Sequence, residues 1–408
     1  MRSAAIVTVG SELVEGLRVD TNTAEIARAL APRGFHVVEA VSVGDDVILL
    51  TDALARLRAL CDLIITTGGL GPTHDDITRD AASQALGAPL VHDEGLAAGL
   101  APVVARHSDP EAAKQVLVQA LVLEGAQVIQ ATTGTAPGLV VETDGATVAL
   151  LPGPPTEMRP MLEALLQRYP LVRAQPRELG VVGMTESDVQ VAAQRVLKRY
   201  EGIVLTVLAR PGDVRVLLID DGAGVDLLGR TAADVAAALG DRCYADDGVT
   251  LQAALVRSAI DAGVTLATAE SCTGGMVASA ITEIAGSSAA FQGGVVVYGN
   301  NAKRDLLGVG DDLLDTVGAV SEEVARKMAE GARSRLGADI AVSVTGIAGP
   351  GGGSPEKPVG LVWFAIATEN HTYAEKRLFP PTSREAVRLR ATATALDLLR
   401  LEVLKVPR

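Results

Sequence analysis

The chain has 408 residues, 48% of them hydrophobic and 21% charged, which is typical of a folded globular protein with two or three domains. Lys and Arg number 36 against 50 Asp and Glu, giving a formal net charge of −14, and aromatic residues make up 2%. Nucleic acid is therefore not an expected partner, because a polyanion would be repelled and would find few rings on which its bases could stack.

Apolar stretches are short, and none approaches the ~20 residues of a membrane helix, so we expect no membrane partner. The first residues carry no signal-peptide pattern, which makes the cytoplasm the expected location. Cys61, Cys243 and Cys272 are far apart and show no CxxC spacing. Neither a disulfide framework nor a zinc site is indicated.

Strand and helix patterns alternate over residues 1–170, the first predicted domain. Apolar runs predict strands at 4–10, 35–44, 62–69 and 147–155. Helical spacing of apolar residues predicts helices at 21–34, 46–61, 75–86 and 157–168. Such alternation indicates an α/β fold with a parallel sheet covered on both faces.

The segment IITTGGLGPTHDDITRD (64–80) combines a strand, a glycine-rich turn and the start of a helix. Gly69 and Gly71 let the backbone turn tightly, so that its N–H groups can face a phosphate. Asp75, Asp76 and Asp80 would repel that phosphate unless a divalent cation bridges them. The structural alternative is that these Asp residues are present because the helix dipole favours Asp in a first turn. The segment is not a Walker A motif, because no Gly-Lys-Ser/Thr follows.

Other loops leave predicted strands in the same half of the chain. Gly10 and Glu12 follow the first strand, Gly153 follows the closing one, and GTAPG (134–138) forms a further tight turn. Asn22 is a further polar residue after the first strand; its structural alternative is a cap of the next helix.

Residues 171–245 predict a small α+β domain of strand, helix, hairpin, helix and strand, with the hairpin turned at Pro211-Gly212-Asp213. This domain carries no recognisable catalytic motif and is interpreted as a spacer or interface. Residues 246–408 return to α/β alternation and form the third predicted domain.

Ser271 and Lys303 each follow an apolar β-rich run in the third domain, and α/β sheets gather their chemistry at strand ends. A serine hydroxyl needs a base, and a lysine desolvated among Val295–Val297 can be neutral enough to serve. No histidine lies between Asp109 and Asn370, so Ser with Lys is the leading pair. Seen singly, each has a structural interpretation, as a helix cap and as a solvated lysine.

The segments AESCTGG, YGNNAK, GAVSEEVARKMAEGA and VSVTGIAGPGGGSPEKPVG together resemble the C-terminal domain of the CinA family (competence/damage-inducible protein), whose members act as nicotinamide mononucleotide amidohydrolases. The resemblance implies that Ser271 is the nucleophile and Lys303 the base of a deamidase that needs no cofactor. Tyr298 would hold one of them in place, unless it is an aromatic plug in the core. Substrate-binding candidates are Ser288, Cys272, Thr273, Gly274, Thr345, Gly346, Ala348 and Gly349.

Several of these candidates have structural alternatives. The backbone amides of residues 272–275 are candidates for an oxyanion hole. Cys272 itself is expected to be a small buried residue. Ser288 is equally plausible as a turn residue, and the loop that follows Thr345 as a mobile surface loop.

The motifs TGGLGPT, DDIT and PGPP look like the molybdopterin-binding fold in its CinA branch, where they line a nucleotide pocket. This resemblance implies hydrolysis of ADP-ribose to AMP and ribose 5-phosphate with a divalent cation (Mg, Mn or Co), with Asp75, Asp76 and Asp80 as candidate ligands. The middle segment resembles a KH-like linker domain, although it lacks a GXXG clamp. Ala131 and Val317 depart from the family pattern, which commonly has Asn and often a larger polar residue at these positions.

The sequence therefore predicts a bifunctional hydrolase for pyridine-nucleotide salvage whose partners are small-molecule nucleotides; a homodimer is an open alternative to a monomer. Two other functions remain open. The N-terminal domain could bind a pterin or nucleotide without hydrolysing it, or the whole chain could be a competence-associated interaction protein. The acidic charge and the Ser/Lys positions argue against the last.

Overall fold

The computed structural model describes residues 2–106 and 108–406 and divides the chain into two compact units, the first ending at Ala174 and the second beginning at Gln175. The first boundary lies close to the predicted residue 170. The predicted boundary at 245 falls inside the second unit, which contains both the middle and the C-terminal segments.

The first unit contains a six-stranded sheet, a small two-stranded sheet and seven α-helices among its described residues. The strands are β1 (Arg2–Val9), β2 (Phe35–Val43), β3 (Leu63–Thr67), β4 (Leu90–His92), β5 (Leu121–Leu123), β6 (Gln127–Ile129), β7 (Gly138–Thr143) and β8 (Ala146–Leu151). The helices are α1 (Ser11–Val14), α2 (Asn22–Leu30), α3 (Val47–Arg58), α4 (Thr78–Leu86), α5 (Glu94–Val104), α6 (Pro110–Leu117) and α7 (Pro155–Leu166).

The large sheet has the order β2-β1-β3-β8-β7-β6. Its first four strands are parallel, as predicted, whereas β7 and β6 run antiparallel. The sequence interpretation missed this edge although Asp144-Gly145, which turns the chain back in a two-residue hairpin with Gly145 at φ 104°, is a local hairpin signal. Alternate residues of β1 enter two different apolar clusters, which confirms that both faces are covered.

The second unit begins with a four-stranded antiparallel sheet of order β10-β11-β9-β12. Its elements are β9 (Arg177–Val181), α8 (Glu186–Leu197), β10 (Ile203–Arg210), β11 (Asp213–Asp220), α9 (Val225–Leu239) and β12 (Cys243–Ala245). The predicted hairpin turns at Pro211-Gly212. Val182 and Tyr244 of this segment belong to the apolar cluster of the C-terminal sheet, which is why the middle segment is no separate unit.

The C-terminal part of the second unit is a five-stranded sheet of order β14-β13-β15-β16-β17 with helices on both faces. Its strands are β13 (Leu266–Glu270), β14 (Phe291–Val296), β15 (Ile340–Gly346), β16 (Leu361–Ala367) and β17 (Thr372–Leu378). Its helices are α10 (Leu251–Ala262), α11 (Met276–Thr282), α12 (Asn300–Leu307), α13 (Asp311–Thr316), α14 (Glu322–Leu336) and α15 (Arg384–Val403). Among the described residues of the whole chain, no helix has both the length and the apolar character needed to span a bilayer.

Strand β13 pairs in parallel with β14 on one side and with β15 on the other. The carboxyl ends of the three strands therefore share one edge of the sheet. Ser271 follows β13 and Lys303 lies in α12, the helix that follows β14, so this pairing brings residues 32 positions apart to the same place.

Helix α14 approaches α12 closely at Gly331, where a Cβ atom would lie 2.2 Å from the Leu307 carbonyl oxygen. Gly229, in helix α9, has no atom within 4 Å of the corresponding position. Both glycines lie inside helices, yet one has a packing reason to be glycine and the other has none.

We expect Gly331→Ala to lower the free energy of unfolding by about 1–3 kcal/mol, because the methyl group forces α14 away from α12. Gly229→Ala, the matched control, should raise it by about 0.4–1 kcal/mol by restricting the unfolded chain. Urea denaturation of the two variants measures both values. Equal effects of the two substitutions would contradict the close helix approach.

Candidate functional site

Ser271 occupies the first position after β13, whose five residues are all buried. Its N–H donates to the Val344 carbonyl of the neighbouring β15 at 2.9 Å, which continues the sheet pairing up to the serine. The residue is 8% exposed. Ser271 is therefore held by backbone pairing at the edge where the parallel strands end.

Lys303 lies in the first turn of α12 and is 1% exposed, an uncommon environment for a lysine. Its Nζ lies 3.3 Å from Ser271 Oγ, 2.9 Å from the Val297 carbonyl oxygen and 3.1 Å from the Tyr298 carbonyl oxygen. Burial lowers the pKa of the Lys303 ammonium below its ordinary value. Of the valines predicted to surround Lys303, Val297 is fully buried, whereas Val296 is 50% exposed.

Lys303 Nζ has three acceptors around it. As an ammonium it can donate to Val297, Tyr298 and Ser271 Oγ together. After it loses one proton, its two remaining N–H groups can stay with the two carbonyls, and the lone pair can accept the proton of Ser271 Oγ. The arrangement can thus perform general-base activation of a serine.

Tyr298 contacts Lys303 through its backbone rather than through its ring. Its side chain is 64% exposed, so it is neither a plug in the core nor a support for Ser271. Its backbone carbonyl, rather than its phenol, contacts Lys303. The hydroxyl accepts a hydrogen bond from Arg384 Nη2 at 3.3 Å.

The turn after Ser271 is held from two sides. The Glu270 carboxylate, 1% exposed, accepts hydrogen bonds from the N–H groups of Gly275, Val277 and Ala278 at 2.8–3.0 Å. Arg388 of α15 donates to the carbonyl oxygens of Cys272 and Thr273 at 3.2 and 2.8 Å.

Two of the predicted oxyanion-hole donors are already occupied. Gly274 N–H donates to the Ser271 carbonyl oxygen, and Gly275 N–H donates to Glu270. The N–H groups of Cys272 and Thr273 remain as candidates. Cys272 is 5% exposed, as expected, and burial raises the pKa of its thiol to about 12, so it is protonated at neutral pH and is no competing nucleophile.

The end of β15 and the residues that follow it are well anchored. Thr345 Oγ1 donates to the Ala319 carbonyl oxygen at 2.7 Å, and Ala348 is 4% exposed. Gly346 packs so tightly that a Cβ atom would lie 2.7 Å from the Leu361 carbonyl oxygen. The Gly349 carbonyl accepts a hydrogen bond from Arg384 at 2.8 Å, which brings this segment and Tyr298 to the same arginine.

Ser288 is the candidate that the structure does not bring to Ser271. It is exposed in a short turn that precedes β14, whereas Ser271 follows β13. Because the two strands are parallel and in register, these positions lie at opposite edges of the sheet within the chain. The adjacent Ser287 is buried instead.

A second candidate site is a cavity of about 460 Å³ in the first unit, at the carboxyl ends of β1, β3 and β8. Strand order reverses between β1 and β3, which is where open α/β sheets bind ligands. The predicted residues Gly10, Glu12, Gly69, Gly71, Gly153, Asp75 and Asp76 all line this cavity. Asp80 does not, because it lies on the exposed side of α4.

The glycine-rich turn is braced from within. Asp76 accepts hydrogen bonds from Gly71 N–H at 2.7 Å and from the N–H and hydroxyl of Thr73. Gly71 is therefore not a free phosphate donor, and Gly68 N–H donates to Leu151. Arg79, 2% exposed, donates to the Leu70 and Gly71 carbonyls, and burial lowers the pKa of its guanidinium to about 10.

Asn22 ties two strand ends together instead of capping its helix. Its Nδ2 donates to Thr67 Oγ1 at 2.9 Å and to the Gly153 carbonyl at 2.8 Å, while Thr21 is the N-cap of α2. Glu157, at the start of α7, also lines the cavity, and burial raises the pKa of its carboxyl.

Carboxylates outnumber cations around the cavity. Among the described residues, those of Glu12, Asp20, Asp45, Asp75, Asp76 and Glu157 line it together with the exposed Arg18. The described part of the chain nevertheless contains no group of three or more His, Cys, Asp or Glu close enough to hold a metal ion. The predicted trio of Asp75, Asp76 and Asp80 is thus not assembled, and Asp75 instead pairs with His74 at 2.9 Å.

Sequence reasoning missed the residues that support each site. Arg384 and Arg388 come from α15, more than 100 positions from Ser271, so no local pattern could reveal them. Glu270 directly precedes the serine, and its carboxylate in an otherwise apolar strand was a usable signal. The two departures are accommodated: Ala131 and Val317 are partly buried and pack on apolar clusters.

Comparison with known proteins covers both units. The family model "CinA C-terminal domain" matches residues 249–403, and the model "Probable molybdopterin binding domain" matches residues 5–174. A relative from Symbiobacterium thermophilum, named as a competence-damage inducible protein, is 41% identical over 97% of this chain and 98% of its own. A CinA-like protein of Thermotoga maritima is 38% identical over 98% of both chains.

Among solved structures, the competence/damage inducible protein CihA from Agrobacterium tumefaciens is 47% identical, covers 38% of this chain and 94% of its own, and has a TM-score of 0.37. Identity near 40% over nearly the whole length, together with the two domain matches, is decisive. The chain belongs to the CinA family, with a molybdopterin-binding-type domain at its N-terminus and the CinA domain at its C-terminus.

Proposed function

We propose that the chain is a bifunctional hydrolase of pyridine nucleotides: the second unit deamidates nicotinamide mononucleotide, and the first hydrolyses ADP-ribose to AMP and ribose 5-phosphate. The observation that carries the proposal is the 3.3 Å separation of Lys303 Nζ and Ser271 Oγ, with both residues buried. Lysine is seldom fully buried, and ionisable groups whose pKa is shifted by burial are concentrated at functional sites.

The proposed deamidation is acyl transfer in two steps. Ser271 Oγ attacks the carboxamide carbon while Lys303 Nζ takes its proton, and the same proton is delivered to the departing NH₂ group, which leaves as ammonia. Water then attacks the resulting ester, Lys303 removes one proton from it, and that proton returns to Ser271 Oγ as nicotinate mononucleotide is released.

The surroundings of the pair support a phosphorylated substrate. Arg384 bridges the Gly349 carbonyl and the Tyr298 hydroxyl and remains largely exposed. A guanidinium presents a fork that matches phosphate, and here it lies between a predicted substrate-binding segment and the segment that leads to Lys303. Arg384 is therefore proposed to contact the phosphate of the mononucleotide.

In the first unit the side chains that line the cavity are mainly negative. A diphosphate entering a cavity lined by Asp75, Asp76 and Glu157 would be repelled without a counter-charge. Mg²⁺ ordinarily takes one or two carboxylates together with ligand phosphates and keeps several waters, so it needs no closed protein site. The carboxylates of Asp75 and Asp76 fit such a cation, which would neutralise the diphosphate when bound; Mn²⁺ or Co²⁺ are alternatives.

A non-hydrolytic role for the first unit is the second candidate. It is favoured by the fact that both Asp76 oxygens already accept hydrogen bonds from its own loop. A module that binds a pterin or nucleotide would use this loop without metal. Turnover of ADP-ribose by the full chain distinguishes the two functions.

We expect Ser271→Ala to abolish ammonia release from nicotinamide mononucleotide and to leave ADP-ribose hydrolysis unchanged, because the serine belongs to one unit. Loss of a nucleophile ordinarily costs several orders of magnitude in kcat. A coupled ammonia assay and chromatography of AMP measure the two activities. Deamidation above ~1% of wild type would mean that another group or a water attacks.

As the pH is raised from 7 to 10, we expect the free energy of unfolding of the wild type to increase relative to that of the Lys303→Met variant. The folded pKa of Lys303 is lowered, so between that pKa and the ~10.4 of a free lysine the unfolded chain binds more protons, and stability grows with pH. Each unit of pKa shift corresponds to ~1.4 kcal/mol. Urea denaturation from pH 7 to 10 measures the slope.

The exposed Lys198 provides the control, because Lys198→Met should follow the wild-type curve. Parallel curves for wild type and Lys303→Met would contradict the buried neutral amine. The deamidation rate should rise with pH through the same ionisation, and Lys303→Arg should be inactive because a guanidinium stays protonated.

We expect ADP-ribose hydrolysis to require a divalent cation and Asp76→Asn to raise the cation concentration needed for half-maximal rate by ~10-fold or more. Asp80→Asn, outside the cavity, should behave as wild type. Rates measured across a Mg²⁺ titration provide the comparison. Full hydrolysis in excess EDTA would exclude the cation.

A further inference from the structure

We infer that Arg388 is a positioning residue for the nucleophile turn, and that it acts with Glu270 to aim the N–H groups of Cys272 and Thr273 at the oxyanion formed on the substrate. This inference rests on the proposed deamidase function of Ser271. It concerns how the turn is held, whichever acyl substrate the site takes.

The first three carbonyls of the turn, those of Ser271, Cys272 and Thr273, have partners. The Ser271 carbonyl accepts from Gly274 N–H at 3.2 Å, and the Cys272 and Thr273 carbonyls accept from Arg388 Nε at 3.2 Å and Nη2 at 2.8 Å. In a planar trans peptide the C=O and the following N–H point in opposite directions. Fixing the Ser271 and Cys272 carbonyls therefore turns the N–H groups of Cys272 and Thr273 to the opposite side.

Those two N–H groups remain available. Within the described residues, neither donates to a backbone carbonyl or to the side chain of another residue. Glu270 removes the competing donors, since its carboxylate accepts from Gly275, Val277 and Ala278. An acceptor beside Ser271 would consequently meet Cys272 and Thr273.

The turn cannot hold itself in this conformation by its own side chains. Thr273 is fully buried, and its hydroxyl has no hydrogen-bond partner among the described residues. Gly274 and Gly275 have φ values of 63° and 96°, a region that only glycine enters freely. Such a backbone changes shape easily, so external anchors decide where its N–H groups point.

Arg388 suits this role because one planar guanidinium spans two successive carbonyls. Lysine has a single donor atom on a flexible stem and would not fix the directions of two carbonyls as a planar fork does. Arg390, two positions along the same helix, makes similar contacts elsewhere, to the Pro380 carbonyl and Thr382 hydroxyl. It is a matched control with no part in the turn.

The test is Arg388→Gln, Arg388→Lys and Arg390→Gln in the full chain. We expect Arg388→Gln to lower kcat for nicotinamide mononucleotide by ~10- to 100-fold, below the 10²–10³-fold cost of deleting an oxyanion donor outright, with KM within ~3-fold of wild type. The pH midpoint of kcat should stay in place, because Lys303 is untouched. Arg388→Lys should recover part of the rate, and Arg390→Gln all of it.

A second readout does not depend on the substrate. A fluorophosphonate probe phosphonylates an activated serine: Ser271 Oγ forms a bond to phosphorus, fluoride leaves, and Lys303 takes the hydroxyl proton. The oxyanion that develops on phosphorus needs the same donors. Intact-mass kinetics should show labelling of wild type and Arg390→Gln at equal rates and of Arg388→Gln at least 10-fold more slowly, with unchanged thermal unfolding confirming that the variants fold.

Three results would overturn the inference. Labelling of Arg388→Gln at the wild-type rate would show that Arg388 positions nothing. A raised KM with unchanged kcat would make it a substrate contact instead. No labelling of the wild type would remove both the inference and the serine mechanism. Labelling without ammonia release would refute only the proposed substrate, and the comparison of labelling rates would still decide the role of Arg388.

Discussion

The buried amine of Lys303 sets the requirements that the rest of the C-terminal sheet meets. An ammonium taken out of water is costly, so burial favours the neutral form and lowers the pKa. Its Nζ lies within hydrogen-bond distance of the Val297 and Tyr298 carbonyls and of Ser271 Oγ, so the neutral form can keep both carbonyls and direct its lone pair at the serine. This geometry requires β13 and β14 to be adjacent and parallel, and it requires α14 to pack closely on α12 at Gly331.

The same edge shows how a short turn can be made rigid without help from its own side chains. Glu270 engages the N–H groups on one side, and Arg388 engages the carbonyls on the other. Opposite charges thus act on opposite ends of the peptide dipoles. Glu270 is buried and Arg388 is partly buried, and hydrogen bonds in such surroundings are stronger than in water.

The two units use the carboxyl ends of parallel strands for opposite electrostatic purposes. In the second unit the cationic side chains at the edge are Arg384 and Arg388, beside the buried carboxylate of Glu270 and the buried amine of Lys303. In the first unit the cavity is lined mainly by carboxylates, which suits an anion only when a cation accompanies it. The formal charge of −14 therefore says little about either site, since local groups decide what binds.

The sequence by itself determined the α/β class, the parallel strands of the first unit and the family, because hydrophobic periodicity and contiguous motifs such as AESCTGG and TGGLGPT are local. It also identified Ser271 and Lys303 as a pair, since each follows a strand. It misplaced Tyr298, Ser288 and Asp80, whose side-chain directions depend on neighbouring strands and helices. Only the tertiary structure decided that Arg384 and Arg388 reach the site and that Asp76 braces its own loop. The contacts of Arg384 with Tyr298 and of Arg388 with Cys272 join positions 86 and 116 residues apart, and they are set by strand order and helix packing, which leave no local signal. The contacts of Asp76 are local, but they depend on the path of the backbone through the loop.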